Sequence, residues 1–323
     1  MAKKTTPSLI VNLATLPVGF QRRRIARDGV GFEAFIWRGG PGPVLLVNGA
    51  THGDEYEGPT LLQQWVQHWK PKGLRGTVVF VPVLNEVAFF AGARCRPDDG
   101  ANLARSFPGK RRGTPTERLA RLFDEQMLAQ ATHYVDFHSA GAANRLRPWV
   151  GYVTGMTAQV DRAQRAMSAC FDRFWCWSGP FLPGRTLSAA ALRRVPAIYT
   201  ECQGAGDVAA VDLAALDLGL RRLLIVLGLL AGKKPRLRRQ LTRLTRSARE
   251  THLQVHHQAP HDGLYLPTIR LDQKLRRGAP LGAVHQLDGT RTIVRAEQSG
   301  RVVLVRLQRS VHRGDALAVL SPV

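Results

Sequence analysis

Cysteine is scarce in this 323-residue chain: Cys95, Cys170, Cys176 and Cys202 are too few and too scattered for a disulfide framework or for zinc-finger spacing. They read as reduced thiols. Long apolar runs are missing as well, and none approaches the ~20 residues that cross a bilayer. The best of them, LLIVLGLLAG at 223–232, is short, follows Arg221 and Arg222, and reads as a buried helix. The opening stretch MAKKTTPSLIVNLATLPVG is broken by Asn12, Thr15 and Pro17, which suits a signal peptide poorly. The expectation is a cytoplasmic protein with no membrane span. Acidic residues are the third shortage, with 24 Asp and Glu against 46 Lys and Arg, a formal net charge of +22. Such an excess can serve nucleic acid, an anionic surface or an acidic substrate. Its densest block, KKPRLRRQLTRLTRSAR at 233–249, carries eight basic residues and no acid. Leu237, Leu241, Leu244 and Ala248 fall near helical spacing there, so the block predicts an amphipathic helix in a basic linker over 233–254. No nucleic-acid motif accompanies it, and nucleic acid is not the expected partner.

What is present is an ordinary globular balance, 44% hydrophobic and 22% charged, in a chain long enough for two domains. PVLLVNGA (43–50), GTVVFVPVLN (76–85), HYVDFHSAG (133–141) and VPAIYTECQG (195–204) read as buried strands that end in polar turns. GPTLLQQWVQHW and TERLARLFDEQMLAQA (116–131) read as helices between them. Alternating strands and helices predict an α/β domain over 1–232, its mixed, mainly parallel sheet sandwiched by helices. In such sheets the ligand site lies outside the carboxyl ends of the strands. From about residue 255 the chain turns to short strands and regular glycines. There APHDGLYLPTIRLDQKLRRGAPLGAV (259–284) can be laid over AEQSGRVVLVRLQRSVHRGDALAVL (296–320). The duplication predicts a C-terminal all-β module over 255–323, similar to the barrel-sandwich fold of lipoyl and biotinyl carriers. Its connection HQLDGTRTIVR (285–295) has no lysine to modify, so a structural or substrate-gating appendage is expected in place of a carrier.

The chemistry gathers at the strand ends. NGATHGDEYEG (48–58) holds an H-x-x-E pair, His52 and Glu55, directly behind a buried strand. Imidazole and carboxylate are zinc ligands, and two His, one Glu and a water form a known catalytic set. His138 in VDFHSAG has the matching setting for the second histidine. Asp54 and Glu57 are spare acids for supporting contacts. A turn histidine at 52 and a core histidine at 138 remain the plain alternatives at this point. Glu201 closes the apolar strand AIYTE, where partial burial would raise its pKa toward that of a general base; the plain alternative is a surface glutamate. The loop AGARCRPDDGANLARSFPG (91–109) offers Arg94, Arg96 and Arg105, of which Arg94 and Arg105 are the choices for oxyanion and substrate carboxylate.

Taken in order, NGATHGDEYEG, LNEVAFFAGARCRPDDGANLARSFPG, VDFHSAG and PAIYTECQGAG resemble the aspartoacylase and succinylglutamate desuccinylase family of zinc carboxypeptidase-like hydrolases. The resemblance covers nearly the whole chain. It implies one Zn²⁺ per chain, held by His52, Glu55 and His138, and removal of an acyl group from a small, anionic N-acylated amino acid or related amide. It implies Glu201 as the base and acid acting on zinc-bound water, Arg94 polarising the scissile carbonyl, and Arg105 gripping a substrate carboxylate. One departure stands out: the family's DGxNLNR is DGANLAR here, so Ala104 replaces an asparagine, and either the substrate differs or Asn102 or another residue compensates in substrate binding. A carboxypeptidase acting on peptides and a non-catalytic binding protein are the competing readings. Edge strands or the β module could also pair subunits into a homo-oligomer.

Overall fold

The computed structural model describes residues 10–238, 240, 242–245, 252 and 255–321. A hairpin of β1 (Gly19–Arg27) and β2 (Val30–Arg38) comes first, then β3 (Val44–Asn48), α1 (Glu57–His68), β4 (Thr77–Val81), α2 (Glu86–Phe90) and α3 (Pro115–Gln126). After them run β5 (His133–Ser139), β6 (Asn144–Leu146), β7 (Trp149–Gly151), α4 (Ala158–Cys170) and β8 (Trp175–Ser178). The unit closes with α5 (Thr186–Leu192), β9 (Ala197–Cys202), α6 (Ala210–Val226) and β10 (Thr242–Leu244). Among the described residues the main sheet has nine strands in the order β1-β2-β4-β3-β5-β9-β7-β8-β10. Its centre, β4-β3-β5-β9, is parallel, whereas β1-β2, β2-β4 and β9-β7 are antiparallel. The mixed α/β sheet expected from the sequence is therefore present.

Alternation along the central strands builds two cores. Leu46, Val79, Val81, Tyr134 and Ala197 face one side, where Leu119 and Phe123 of α3 and Leu187 of α5 cover them. Leu45, Val47, Val78, Phe80, Val135, Phe137 and Ile198 face the other, under Leu61 and Trp65 of α1, Met167 of α4 and Leu216 and Leu220 of α6. Successive residues pointing to opposite faces explain why both sides of one short apolar run are buried.

On α3, Glu125 has a side chain only 2% exposed and collects Arg27, Arg111 and Arg121. Burial works against its charge, but the guanidinium bonds outweigh it and hold the carboxyl below its ordinary value. A depressed carboxyl contributes stability that is complete above its unfolded pKa, about 4.3, and lost as pH falls through the folded one. The wild type's thermal advantage over Glu125→Gln at neutral pH should shrink below pH ~4. A gap in melting temperature that stays constant with pH would sink this assignment.

The basic stretch needs correction. Among the described residues of 233–254 there is no helix: 233–238 and 240 are irregular, and β10 pairs in parallel with β8. Like charges four apart and Pro235 work against a helix. Tertiary partners then capture the chain, since the Arg238 N–H donates to Asp172 Oδ2 at 2.6 Å. Gln240 Nε2 also donates to the carbonyls of Ser168, Phe171 and Phe174 where α4 ends. Leu241 and Ala248, invoked for the helical face, lie outside the described residues. LLIVLGLLAG is helical only through Val226; Gly228, at φ 71°, ends α6.

Beyond it come β11 (Gly263–Pro267), β12 (Lys274–Leu275), β13 (Pro280–His285), β14 (Arg291–Arg295), β15 (Gly300–Arg306), β16 (Ser310–Val311) and β17 (Ala318–Ser321). The duplicated halves exchange partners. β11 pairs with its own β13 and with the other half's β16, while β15 pairs with its own β17 and with the other half's β12. Gly263 and Gly300 occupy the same place in each half: an added Cβ would lie 2.3 Å from the carbonyl oxygen of His285 and 2.5 Å from that of Ser321. β15 also pairs with β6, and Val303, Leu304 and Val319 pack on Leu146, Trp149 and Trp177. That contact brings the β-rich segment to the carboxyl end of the main sheet.

Candidate metal centre and active-site cavity

The loop between β3 and α1 carries His52 and Glu55, and Gly53 lets it settle. A Cβ at Gly53 would stand 2.0 Å from the backbone carbon of Ala88 in α2, so a larger residue would push the loop away. His138 lies in β5 and Glu201 in β9, directly opposite each other in the parallel register. Both side chains therefore leave the sheet on one face. Glu55 is central. Its Oε1 lies 2.7 Å from His52 Nδ1 and its Oε2 2.7 Å from His138 Nδ1. One ligand atom from each residue falls within 4.8 Å of the others, and all three residues are buried. Two imidazole nitrogens and a carboxylate suit zinc better than a hard cation such as magnesium.

Both rings present the same nitrogen because the other is occupied. His52 Nε2 lies 3.0 Å from Asn102 Oδ1, and His138 Nε2 lies 2.9 Å from Asp136 Oδ2. An oxygen that can only accept places a proton on Nε2, so Nδ1 is the nitrogen that an ion would take, in place of any proton there. Asp136, fully buried, is itself filled: Thr186 Oγ1 donates to its Oδ2 at 2.6 Å, and Thr51 Oγ1 and Asn48 Nδ2 to its Oδ1 at 3.0 Å each. This one carboxylate ties the β3 loop, β5 and the start of α5 together. Burial opposes a charged His138, yet Asp136 and Glu55 outweigh it and hold its pKa well above the usual value. Burial, with Arg94 adding to it, takes His52 the other way, to about 4.

A cavity of about 810 Å³ opens on these groups, lined by His52, His138, Glu201, Arg94, Arg105 and Arg185 among others. Burial raises Glu201 to about 8, against the opposing pull of His138. Arg94 donates to Glu55 Oε1 at 3.1 Å. Arg96 takes no part, being turned away into a two-pronged bond with Asp98. Asp54 and Glu57 make backbone contacts, to the N–H groups of Ala142 and Gly204. Asn102 sits on His52 and does not line the cavity, which the sequence expectation of substrate contact did not anticipate. The β-rich segment supplies part of the wall, through Gln258, Leu304, Arg306, Gln308 and Asp315.

Sequence reasoning passed over Asp136, Thr186 and Arg185. An acid two residues before His138 in an otherwise apolar strand was a legible signal for Asp136. Nothing in the sequence separates Arg185 from the many other basic residues.

A mixed sheet that gathers a buried His-Glu-His cluster and a half-buried glutamate at its carboxyl edge defines a hydrolase with a candidate metal site. The sequence model of the succinylglutamate desuccinylase/aspartoacylase catalytic domain matches residues 41–226, and the chain belongs to that family. It is accordingly a deacylase, a hydrolase acting on non-peptide amide bonds. The chain is 29% identical to the N-alpha-acetyl-L-2,4-diaminobutyric acid deacetylase of Halomonas elongata, over 94% of this chain and 91% of that protein. The product-bound ectoine utilization protein EutE (DoeB) of Ruegeria pomeroyi superposes with a TM-score of 0.84 at 29% identity, over 99% of this chain and 100% of that one. A succinylglutamate desuccinylase of Silicibacter sp. TM1040 does so with a TM-score of 0.81 at 27% identity, over 95% and 97%.

Proposed function

We propose that the protein is a zinc-dependent deacylase that hydrolyses the amide bond of a small N-acyl amino acid. The observation that carries this reading is the convergence of His52 Nδ1 and His138 Nδ1 on the two oxygens of Glu55, at 2.7 Å each, on the same cavity as Glu201. His52, Glu55 and His138 would hold the ion. When bound, zinc supplies Lewis acidity toward water and the scissile carbonyl. Glu201 takes the proton from the attacking water and returns it to the departing amine, a task for which a raised pKa suits it. Arg94, held by Glu55, steadies the carbonyl oxygen as charge develops there. Arg105 and Arg185 receive the substrate carboxylate; the two lie close enough that Arg185, after burial, contributes to lowering Arg105 to about 10. Asn102 acts on His52 as an orienting partner.

We read residues 10–245 as the hydrolase unit and 255–321 as a module that closes its cavity. The exchange of short strands between its halves supports a barrel-sandwich arrangement. Among the described residues no helix is long and apolar enough to cross a membrane. Four free cysteines, three of them buried, suit a reducing cytoplasm.

The reading is tested by amine release from N-acyl amino acids with zinc-loaded protein, against peptides of matching composition. Peptide turnover without deacylation would overturn it. Asp136→Asn should lower zinc affinity roughly 10–100-fold, because an amide no longer anchors the Nε2 proton of His138 as a carboxylate does. Competition with a chelating dye measures this, and unchanged affinity would remove Asp136 from the centre. Arg185→Ala should raise KM by about tenfold or more, with kcat less affected, since a charge-assisted bond of roughly 1.5–3 kcal/mol is lost in ground and transition states alike. A pure kcat defect would contradict an anchoring role.

A further inference from the structure

Resting on the deacylase reading, we infer that Glu57 is a positioning residue. It joins the turn behind Glu201 to the loop that carries His52 and Glu55, and so sets the proton carrier against the reacting groups. Glu57 opens α1, is 1% exposed and is not part of the cavity wall, so it acts through its neighbours and not on the substrate. Its Oε1 accepts the Gly204 N–H at 3.0 Å. The amide before that one is held in the same way: the Gln203 N–H donates to Asp212 Oδ2 at 2.7 Å, in the first turn of α6. Two consecutive N–H groups directly beyond β9 thus end on buried carboxylates, which meets the demand of a buried amide for an acceptor. Gly204 sits at φ 73°, and a Cβ there would come within 2.7 Å of the Ala140 Cβ. A larger residue would force the turn, and its N–H, away from Glu57.

The loop is the fixed side of this contact. The Leu84 and Asn85 N–H groups donate to the carbonyls of Gly49 and Ala50 at 3.0 Å each, and Thr51 Oγ1 reaches Asp136 at 3.0 Å. The turn behind Glu201 is bonded instead to the one that follows His138. There the Ala205 N–H donates to the Gly141 carbonyl at 2.8 Å, and the Leu146 N–H to the Gln203 carbonyl at 3.0 Å. Two carboxylates of the loop and its helix reach across to this pair of turns, Asp54 to the Ala142 N–H at 3.0 Å and Glu57 to the Gly204 N–H. Positions 52 and 55 would hold the ion, and positions 54 and 57 hold the turns behind His138 and Glu201. Of the two, Glu57 meets the strand of the proton carrier.

Proton transfer needs the base within hydrogen-bond reach of the attacking water. A misplacement of about 1 Å can cost on the order of a hundredfold in rate. Glu201 stands one residue before the end of β9, so little strand is left to absorb a shift of the turn. A glutamate in the first turn of a helix also suits the helix dipole, but that role asks nothing of Gly204. It predicts lost stability with unchanged turnover by the folded protein. Glu57 and Asp212 also stand with Cys202 so that one ligand atom of each lies within 4.8 Å of the others, as a shared ion would require. Each carboxylate, however, already receives a backbone N–H.

Three substitutions separate these roles. Glu57→Met keeps the length of the side chain and removes the acceptor, Glu57→Gln keeps an acceptor oxygen, and Glu57→Asp keeps the charge but is one methylene short. In the zinc-loaded full chain, kcat per bound zinc should fall by about tenfold to a hundredfold in Glu57→Met and Glu57→Asp, with KM and zinc affinity within about threefold of wild type. Glu57→Gln should recover most of the loss. Hydrogen exchange over 203–206, read by mass spectrometry, should quicken in the first two variants and return toward the wild-type rate in the third. Glu57→Asp carries the comparison if Glu57→Met does not fold. A lower melting temperature with unchanged kcat overturns the inference, as does a Gln variant no better than Met. A second zinc equivalent that the wild type holds and Glu57→Met loses would make the cluster a metal site, and overturns it too. Wild-type silence on N-acyl amino acids, with zinc bound, overturns the deacylase reading instead. Exchange then decides the anchoring by itself: an unchanged rate at 203–206 ends it, and a faster rate reversed by Gln sustains it.

Discussion

Glu201→Gln should keep its zinc and lose turnover by roughly 10²–10⁴, or about 3–5 kcal/mol of transition-state stabilisation. The amide matches the carboxylate in shape, so packing against β5 and the cavity wall survives. It cannot accept the proton of the attacking water or deliver one to the leaving amine. Glu201 makes no bond to Glu55, His52 or His138 that would be needed to hold the ion; its link to His138 is register and charge across adjacent strands. Metal content and kcat/KM measured on the same preparation give the answer. Normal metal with lost turnover identifies a proton carrier, and near-normal turnover would falsify the assignment. Loss of metal together with activity would show Glu201 to be part of the ion's support.

His138→Ala should abolish stoichiometric zinc binding and, with it, activity. Only His52 and Glu55 would remain, and two protein ligands do not make the set of three that catalytic zinc sites use. The damage spreads inward as well. Glu55 Oε2 and Asp136 Oδ2 both lose a partner at 2.7 and 2.9 Å in a buried setting. Stranding a buried polar group costs about 1–3 kcal/mol, although Thr186, Thr51 and Asn48 still satisfy much of Asp136. The variant should therefore melt lower than wild type without metal, and added zinc should no longer raise its melting temperature. A retained zinc-dependent rise would contradict the ligand assignment. Glu201→Gln is the matched control, since its rise with zinc should persist.

The chain order of strands and helices was readable wherever an apolar run was long and bounded by turns, as at Val44–Asn48, Thr77–Val81, His133–Ser139 and Ala197–Cys202. Those four strands form the parallel centre of the sheet. Because a parallel sheet presents its carboxyl ends together, the residues that end them were legible as a group: His52 and Glu55, His138, and Glu201. The repeat in the last third was legible too, because each half must reproduce the same close approach, at Gly263 and again at Gly300.

Short or exposed pieces were not legible. β7 and β8 have three and four residues, too few for a period to declare itself, and Trp175–Ser178 gains its place by pairing on both sides. The basic stretch has helical spacing, yet at Arg238 and Gln240 partners distant in sequence, Asp172 and the carbonyls at the end of α4, hold the chain in a non-helical path. Asn102 illustrates the same limit within the site. Sequence could name it as a polar residue in the right loop, but whether it faces substrate or His52 depends on where that loop lands. Residue type and local pattern by themselves determined which chemistry this protein carries. Asp136 stands two residues before His138 on the same strand, but only the tertiary structure brought up Thr186 and Arg185, because their contacts join segments tens of residues apart whose encounter no local periodicity encodes.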